Sequence, residues 1–145
     1  MKPELDDADP SSGVETPGSD EFNAWRALQK ATDKKRADTL ADIVGHPEGM
    51  PSVEELDYMN PSLSDDAIRR HLKELMDVSV VTERVFEPGD RLRDYPYKFY
   101  ELTDAARALF DRNGLFPEDA WHRQYQAVEK TARIREIESM PRPDA

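Results

Sequence analysis

The segment that most constrains the fold is an amphipathic stretch from Ser64 to Asp77, which a β-rich run follows directly. Ser64 is a good helix N-cap because its hydroxyl can accept a free backbone N–H, and the two aspartates after it suit the positive end of the helix dipole. At about 100° per residue the apolar side chains share one side, with His71 beside them as a structural, packed histidine. The opposite side carries Asp66, Arg69, Arg70, Lys73 and Asp77. We therefore predict a helix whose exposed face holds three cations.

A β-hairpin is predicted directly after this helix. Residues 78–86 and 95–102 are rich in β-branched and aromatic side chains, and a loop containing Pro88 and Gly89 joins them. The loop is long for a hairpin and has four cations on or near it, Arg84, Arg91, Arg93 and Lys98. The aromatic residues at strand spacing, Tyr95, Tyr97, Phe99 and Tyr100, are expected to hold the hairpin to the core rather than to stack on bases.

Helical patterns precede these two elements. Residues 22–45 fit two helices, or one helix with a break near Asp33, and Gly45 is expected to end the segment as a left-handed cap. Ser52 and Glu55 form a capping-box pattern that opens a short helix, which closes at Asn60.

Helical patterns also follow the hairpin. Thr103 is expected to cap a helix that Gly114 terminates, and Pro117 opens the last helix. Beyond Lys130 the helical signal weakens, although two isoleucines can continue it. The predicted fold class is therefore mainly α with a small β-hairpin (α+β), a winged helix-turn-helix with flanking N- and C-terminal helices.

Three regions are predicted along the chain. Residues 1–20 are read as a disordered acidic tail, because they offer too little apolar surface to offset the entropy of folding. Residues 21–139 are read as the winged helix-turn-helix domain with terminal dimerisation helices. Residues 140–145, which contain two prolines, are read as a second disordered tail.

The net charge of −11, from 31 acidic and 20 basic residues, argues at first against a nucleic-acid partner. Residues 1–21 hold seven acids and one lysine, so six of the eleven units lie outside the predicted fold. The chain also favours Asp over Glu and Arg over Lys. Such surfaces suit molar salt, where the Debye length is about 3 Å and self-repulsion costs little. We therefore expect a halophilic host, with an acidic mesophilic protein as the alternative.

Several function classes are excluded by what the sequence lacks. There is no cysteine, which removes disulfides, thiolate metal sites and cysteine nucleophiles. No glycine-rich phosphate loop, nucleophile elbow or paired-histidine metal motif occurs, so no enzymatic activity, cofactor or metal is expected. Apolar runs are too short to span a bilayer, and we expect a cytoplasmic protein without a membrane partner.

The residues also resemble a known family. The segment Ser64–Leu75 (SDDAIRRHLKEL), followed by Val80 and Val81, resembles the recognition-helix signature of ArsR-type winged-helix regulators of haloarchaeal kind. The similarity covers roughly residues 35 to 112. The turn before this helix is one residue longer than in that family, and Ser79 stands where the family favours glycine. The resemblance implies sequence-specific binding of double-stranded DNA by a homodimer, usually in repression.

These expectations define two sets of site residues. The sequence does not identify a small-molecule effector. The predicted DNA-binding residues are Ser64, Asp66, Arg69, Arg70, Lys73, Arg84, Arg91, Arg93 and Lys98. The predicted dimer interface, from the terminal helices, is Phe22, Trp25, Leu28, Trp121, Tyr125 and Val128. The two tryptophans are equally consistent with a place in the core.

The alternative function is a winged-helix module that binds protein without specific DNA binding, because a fold does not dictate its partner. The two hypotheses differ in the state of the predicted cations. A continuous positive surface supports DNA, whereas neutralisation by neighbouring aspartates supports a protein partner.

Overall fold

The computed structural model describes residues 22–144 of the chain. Within this part the chain forms seven α-helices and one two-stranded antiparallel sheet. In chain order the elements are α1 (Ala24–Ala31), α2 (Lys34–Gly45), α3 (Val53–Met59), α4 (Asp65–Asp77), β1 (Val81–Val85), β2 (Lys98–Leu102), α5 (Asp104–Arg112), α6 (Glu118–Ala127) and α7 (Ala132–Ser139). The predicted acidic tail, residues 1–20, lies outside the described residues. The predicted fold class is confirmed.

Side-chain caps set where the helices begin. Asp33 caps α2, which decides between the two readings of the first segment: α1 and α2 are separate helices. Ser52 and Glu55 form the predicted capping box at α3. Ser64 and Thr103 cap α4 and α5 as predicted, each accepting from the backbone N–H three residues on.

One apolar core joins α1 to α5 with the hairpin. Its fully buried members include Leu40 from α2, Leu56 from α3, Ile68 and Leu72 from α4, and Phe110 from α5. Because α4 packs one side into this core, its opposite side is left to solvent.

The hairpin pairs Val81 with Leu102 at one end and Val85 with Lys98 at the other. One further backbone hydrogen bond, from Phe86 to Tyr97, extends the ladder. The strands are shorter than the predicted runs 78–86 and 95–102, because the chain between them forms a long loop that includes a single 3₁₀ turn. This loop is the wing.

A C-terminal capping motif connects α4 to β1. Val80 N–H donates to Leu75 C=O, Ser79 N–H donates to Met76 C=O, and Ser79 has a φ of 59°. This is a Schellman motif, whose left-handed residue is usually glycine. The position at which the sequence departs from the ArsR pattern is therefore the one that requires a left-handed backbone.

Gly45 does not act as the predicted left-handed cap. It is the last residue of α2, it is buried, and it is not among the residues with positive φ. A Cβ atom there would lie 2.6 Å from the Trp121 carbonyl oxygen and 3.0 Å from the Tyr125 Cβ. The glycine therefore permits α2 and α6 to approach closely.

The chain after α6 forms one more helix, and the segment that follows it packs against the domain. Thr131 caps α7, which buries Ile134 and Ile137. Residues 140–144 then remain against the domain: Pro143 is buried, and the Arg142 guanidinium reaches the start of α3. Two prolines end the helix, but they do not end the ordered packing because a buried carboxylate holds the arginine.

Candidate nucleic-acid interface

The exposed face of α4 carries the three predicted cations. Arg69, Arg70 and Lys73 are all exposed, while the apolar side of the helix is buried. The Lys73 Nζ lies 3.4 Å from an Asp77 carboxylate oxygen one turn later. Within residues 22–144 neither arginine forms an ion pair, so both guanidinium groups remain available for a ligand.

The wing carries a second set of cations. Arg91, Arg93 and Lys98 are exposed and form no ion pair with any described residue. The Arg91 guanidinium stacks 3.8 Å from the centroid of the Tyr97 ring, and its Nε donates to the Phe86 carbonyl oxygen at 3.1 Å. These two contacts orient one wing arginine before any ligand arrives.

Three predicted DNA-binding residues have other roles or a less favourable charge. Arg84 is half-buried and pairs with Glu101 across the sheet, so its charge is already neutralised. The Ser64 hydroxyl is occupied by the first turn of α4, where it accepts from Ala67 N–H at 3.1 Å. Asp66 is exposed near the start of α4 and adds negative charge there.

A groove of about 440 Å³ separates α3 and the start of α4 from the wing. Arg69 and Lys98 lie along it, together with Asp57 and Asp65. Burial and the neighbouring Asp65 carboxylate raise the pKa of Asp57 above its usual range. The groove is therefore lined by charges of both signs.

The wing loop is braced by α7, a connection that the sequence pattern did not reveal. The Arg133 guanidinium donates to the Asp94 carbonyl oxygen at 2.6 Å and pairs with Glu54 of α3, with Nε and Oε2 3.0 Å apart. It also lies 4.6 Å from the Tyr95 ring centroid. One C-terminal side chain thus fixes the wing loop relative to the helix-turn-helix.

Of the four aromatic residues expected to hold the hairpin to the core, only two are buried in it. Phe99 and Tyr100 are buried, and Phe99 contacts Phe86 edge to face at 5.7 Å. Tyr95 and Tyr97 instead lie beneath the guanidinium groups of Arg133 and Arg91. Tyr97 thus orients a cation of the wing itself, whereas Tyr95 connects the wing to α7.

The predicted dimer residues are not equivalent in the structure. Trp25 is 70% exposed on α1, whereas Phe22 and Leu28 are half-buried against the core. Tyr125 is only 2% exposed and contacts the His46 ring edge to face at 5.6 Å, so its inclusion in an intermolecular surface is incorrect. Its stripe on α6 faces α2 of the same chain. The other two residues on or after α6, Trp121 and Val128, are half-buried and exposed respectively.

Two histidines have structural positions. His71 is buried under α4 as expected, and burial lowers its pKa. His46, Glu55 and Glu138 offer ligand atoms within 4.8 Å of one another, close enough to hold a metal ion. The Arg142 Nη2 lies 3.1 Å from both His46 Nε2 and Glu55 Oε1, so a guanidinium already supplies positive charge at this point.

Burial opposes ionisation of Glu55, yet the hydrogen bond with His46 and the charge of Arg142 lower its pKa overall.

Among the described helices, none combines the length and apolar character that a membrane span requires.

The arrangement of α2, α3, α4 and a two-stranded wing defines a winged helix-turn-helix protein. No protein-family model matches the chain, and no curated protein does. A solved structure does match, described as that of a protein with a GntR superfamily winged-helix-turn-helix domain from Halomicrobium mukohataei. The identity is 31% over 84% of this chain and 87% of the other, with a TM-score of 0.73. The chain belongs to this GntR superfamily of winged helix-turn-helix proteins.

Proposed function

We propose that this protein is a sequence-specific, double-stranded DNA-binding transcriptional regulator that acts as a homodimeric repressor in the cytoplasm. The observation that carries the proposal is the state of its cations. Arg69 and Arg70 on α4, and Arg91, Arg93 and Lys98 on the wing, are exposed and unpaired within the described residues. Of the predicted cations, only Lys73 and Arg84 have acidic partners there.

We propose different contacts for the two sets of cations. An α-helix fits the major groove, where an arginine can form two hydrogen bonds to the edge of a guanine. We assign this role to Arg70, which is exposed on α4. Wing arginines such as Arg91 contact phosphates, which position the protein without reading sequence.

The acidic composition supports a salt-rich working environment rather than a different partner. Six of the eleven net negative charges lie in residues 1–21, which leaves −5 on the remainder. In molar salt this remaining repulsion acts over only a few ångströms. We therefore propose a halophilic host, a proposal that the Asp and Arg preferences of the sequence also support.

The recognition-helix motif supports an ArsR-type mode of reading DNA within the broader winged helix-turn-helix class. The segment Ser64–Leu75 carries that motif, while Ser79 departs from it and the matched structure is described as GntR superfamily. The proposal of DNA contact depends only on the features that both types share, a capped recognition helix and a cationic wing.

For the homodimer we propose an interface that omits the buried Tyr125 of the predicted set and is centred on Trp25. Its exposed indole lies on α1 with Phe22 and Leu28 half-buried nearby in sequence, and exposed tryptophans favour protein interfaces. Light scattering at micromolar concentration is expected to give twice the 16.6 kDa chain mass, and Trp25→Glu is expected to give the chain mass. A wild-type mass near 16.6 kDa would refute the dimer.

The alternative, a protein-binding module, is favoured by one observation: Asp57 and Asp65 lie in the groove beside the recognition helix. These two carboxylates would repel phosphates and attract a basic peptide, although Arg69 and Lys98 also line the groove.

The deciding experiment is a selection from fragmented genomic DNA in molar KCl, where a halophilic protein stays folded. Arg70→Ala is expected to weaken binding to the selected sequence by about 1–3 kcal/mol and to relax specificity. Arg91→Ala is expected to weaken binding to all sequences alike, with a salt slope smaller by about one. Arg123→Ala, an exposed arginine on α6, is the matched control. Negligible effects of both substitutions would favour the protein-binding alternative.

A further inference from the structure

An apolar side chain projects from the cationic wing. Leu92 is 55% exposed, although leucine gains free energy from burial, and it stands between the exposed Arg91 and Arg93. It is among the most exposed large apolar residues of the described chain, and Trp25 on α1 is another. A single exposed leucine is common on protein surfaces, so its surroundings decide whether it has a function.

The turn that begins at Leu92 is held in place. Tyr95 N–H donates to the Leu92 carbonyl oxygen, and Asp94 has a φ of 68°, a left-handed conformation that a non-glycine residue adopts at a cost. Arg133 donates to the carbonyl oxygen of that same Asp94 at 2.6 Å. A side chain of α7 therefore stabilises the conformation of this turn.

The residue before Leu92 is also fixed. Arg91 is anchored to the Phe86 carbonyl oxygen and stacked on Tyr97. Leu92 is consequently presented by a preorganised backbone with a positive charge on each side. This combination fits a polyanion with an apolar interior, because the arginines match phosphates and the leucine matches the faces of bases.

We propose that Leu92 inserts as an apolar wedge between two base pairs in the minor groove of bound DNA, with Arg91 and Arg93 on the flanking backbone. Leucine is one of the residues that unstack a base step and kink the duplex when they enter this groove. The inference rests on the proposed function, which it deepens by assigning a DNA-deforming contact to the wing.

In concentrated salt, such a wedge contributes a part of the binding free energy that the phosphate contacts do not supply. Each phosphate contact loses affinity as salt rises, because the counterions it releases gain less entropy in a more concentrated solution. Burial of an apolar side chain is not screened by salt. An exposed leucine on the wing therefore supplies binding free energy that persists as the salt concentration rises and the contribution of the phosphate contacts falls.

The test uses the full chain and the duplex recovered by the selection described above, with 2-aminopurine placed at successive positions to report unstacking. The affinity of Leu92→Ser for the duplex is expected to be about tenfold to a hundredfold lower than that of wild type, because the variant loses the burial of a leucine side chain. Its salt slope is expected to match wild type, and the fluorescence rise at one base step is expected to disappear. Leu92→Met is expected to restore both.

Val85→Ser is the control, since Val85 is also exposed but lies at the end of β1 without flanking arginines. Wild-type affinity for Leu92→Ser, or an unchanged fluorescence rise, would overturn the wedge while leaving DNA binding by α4 intact. Wild-type DNA affinity for Leu92→Ser is also the result expected if Leu92 contacts a protein partner instead of DNA. A wild-type chain that binds no duplex would overturn the wedge and the proposed function together.

Discussion

The Nη2 atom of Arg142 lies 3.1 Å from Oε1 of Glu55, at a point where the carboxylate is fully buried and the guanidinium is only 8% exposed. Glu55 also accepts from the Ser52 backbone as part of the capping box of α3, and its other oxygen lies 2.6 Å from His46 Nε2. One carboxylate therefore connects the end of α2, the start of α3 and the C-terminal segment. Helix α3 is thus positioned by a residue near the C-terminal end of the described chain.

Replacement of this arginine is expected to destabilise the whole domain. Arg142→Met leaves the buried Glu55 charge without its main cationic partner, and loss of one member of a buried pair costs roughly 3 kcal/mol. The free energy of unfolding, measured by denaturant titration in molar KCl, is expected to fall by about that amount. Arg135→Met, in which an exposed arginine loses only a contact to a backbone carbonyl, is the control. Equal stability of the two variants would contradict the assignment.

A second substitution is expected to increase stability. Ser79 has a φ of 59° in the Schellman motif at the end of α4, where a Cβ costs about 1–2 kcal/mol. Ser79→Gly removes that strain but adds freedom to the unfolded chain, so a net gain of about 0.5–1 kcal/mol is expected. Ser139→Gly, at the last helical position of α7, is expected to destabilise instead. A loss of stability in Ser79→Gly would show that its hydroxyl has an unrecognised role.

Local features of this fold were predictable from sequence, and contacts between distant segments were not. Caps at Ser52, Ser64 and Thr103 depend on residues three positions away, so a short pattern identifies them. The contact between Arg142 and Glu55 spans 87 positions, and no local pattern contains it. The prolines nearby predicted only where α7 ends.

Amphipathicity has a related limit, which the prediction for Tyr125 illustrates. The stripe on α6 correctly indicated that this side chain is buried, but periodicity does not say whether α2 of the same chain or a second copy covers it. The signal that could have decided this is Gly45. A glycine inside a helix can indicate close packing of a neighbouring helix, here α6, as well as a helix cap. The cations of α4 and the wing were placed on exposed surfaces as expected, and their contact with DNA stays a prediction.

The pH dependence of stability is expected to include a contribution from Asp42. Burial raises the pKa of Asp42 to about 7, although Asn60 Nδ2 donates to it at 2.7 Å and opposes the shift. The folded state therefore keeps a proton that the unfolded state releases above pH 3.8. This contribution is fully present at lower pH and declines as the pH rises towards 7.

Asp42→Asn removes that titration, so the variant is expected to be more stable than wild type above pH 7 by about 4 kcal/mol. The difference is expected to vanish below about pH 3, where the unfolded state of the wild type holds the proton as well as the folded state. Thermal unfolding followed across this range measures the effect. Asp119→Asn, which replaces an exposed aspartate on α6, is the matched control. A constant difference between Asp42→Asn and wild type would exclude the titration as its cause.

The packing of α6 on α2 can be tested with a single methyl group. In Gly45→Ala the new Cβ would lie 2.6 Å from the Trp121 carbonyl oxygen, a backbone atom that moves only if the helix moves. Overpacking of this kind costs about 1–3 kcal/mol, which exceeds the gain of about 1 kcal/mol from replacing a helical glycine with alanine. A net loss of stability is expected in denaturant titration. Gly89→Ala in the wing, where open space surrounds the new Cβ, is expected to be neutral or slightly stabilising. If Gly45→Ala were as stable as Gly89→Ala, α6 would not be seated against α2 as closely as the structure shows.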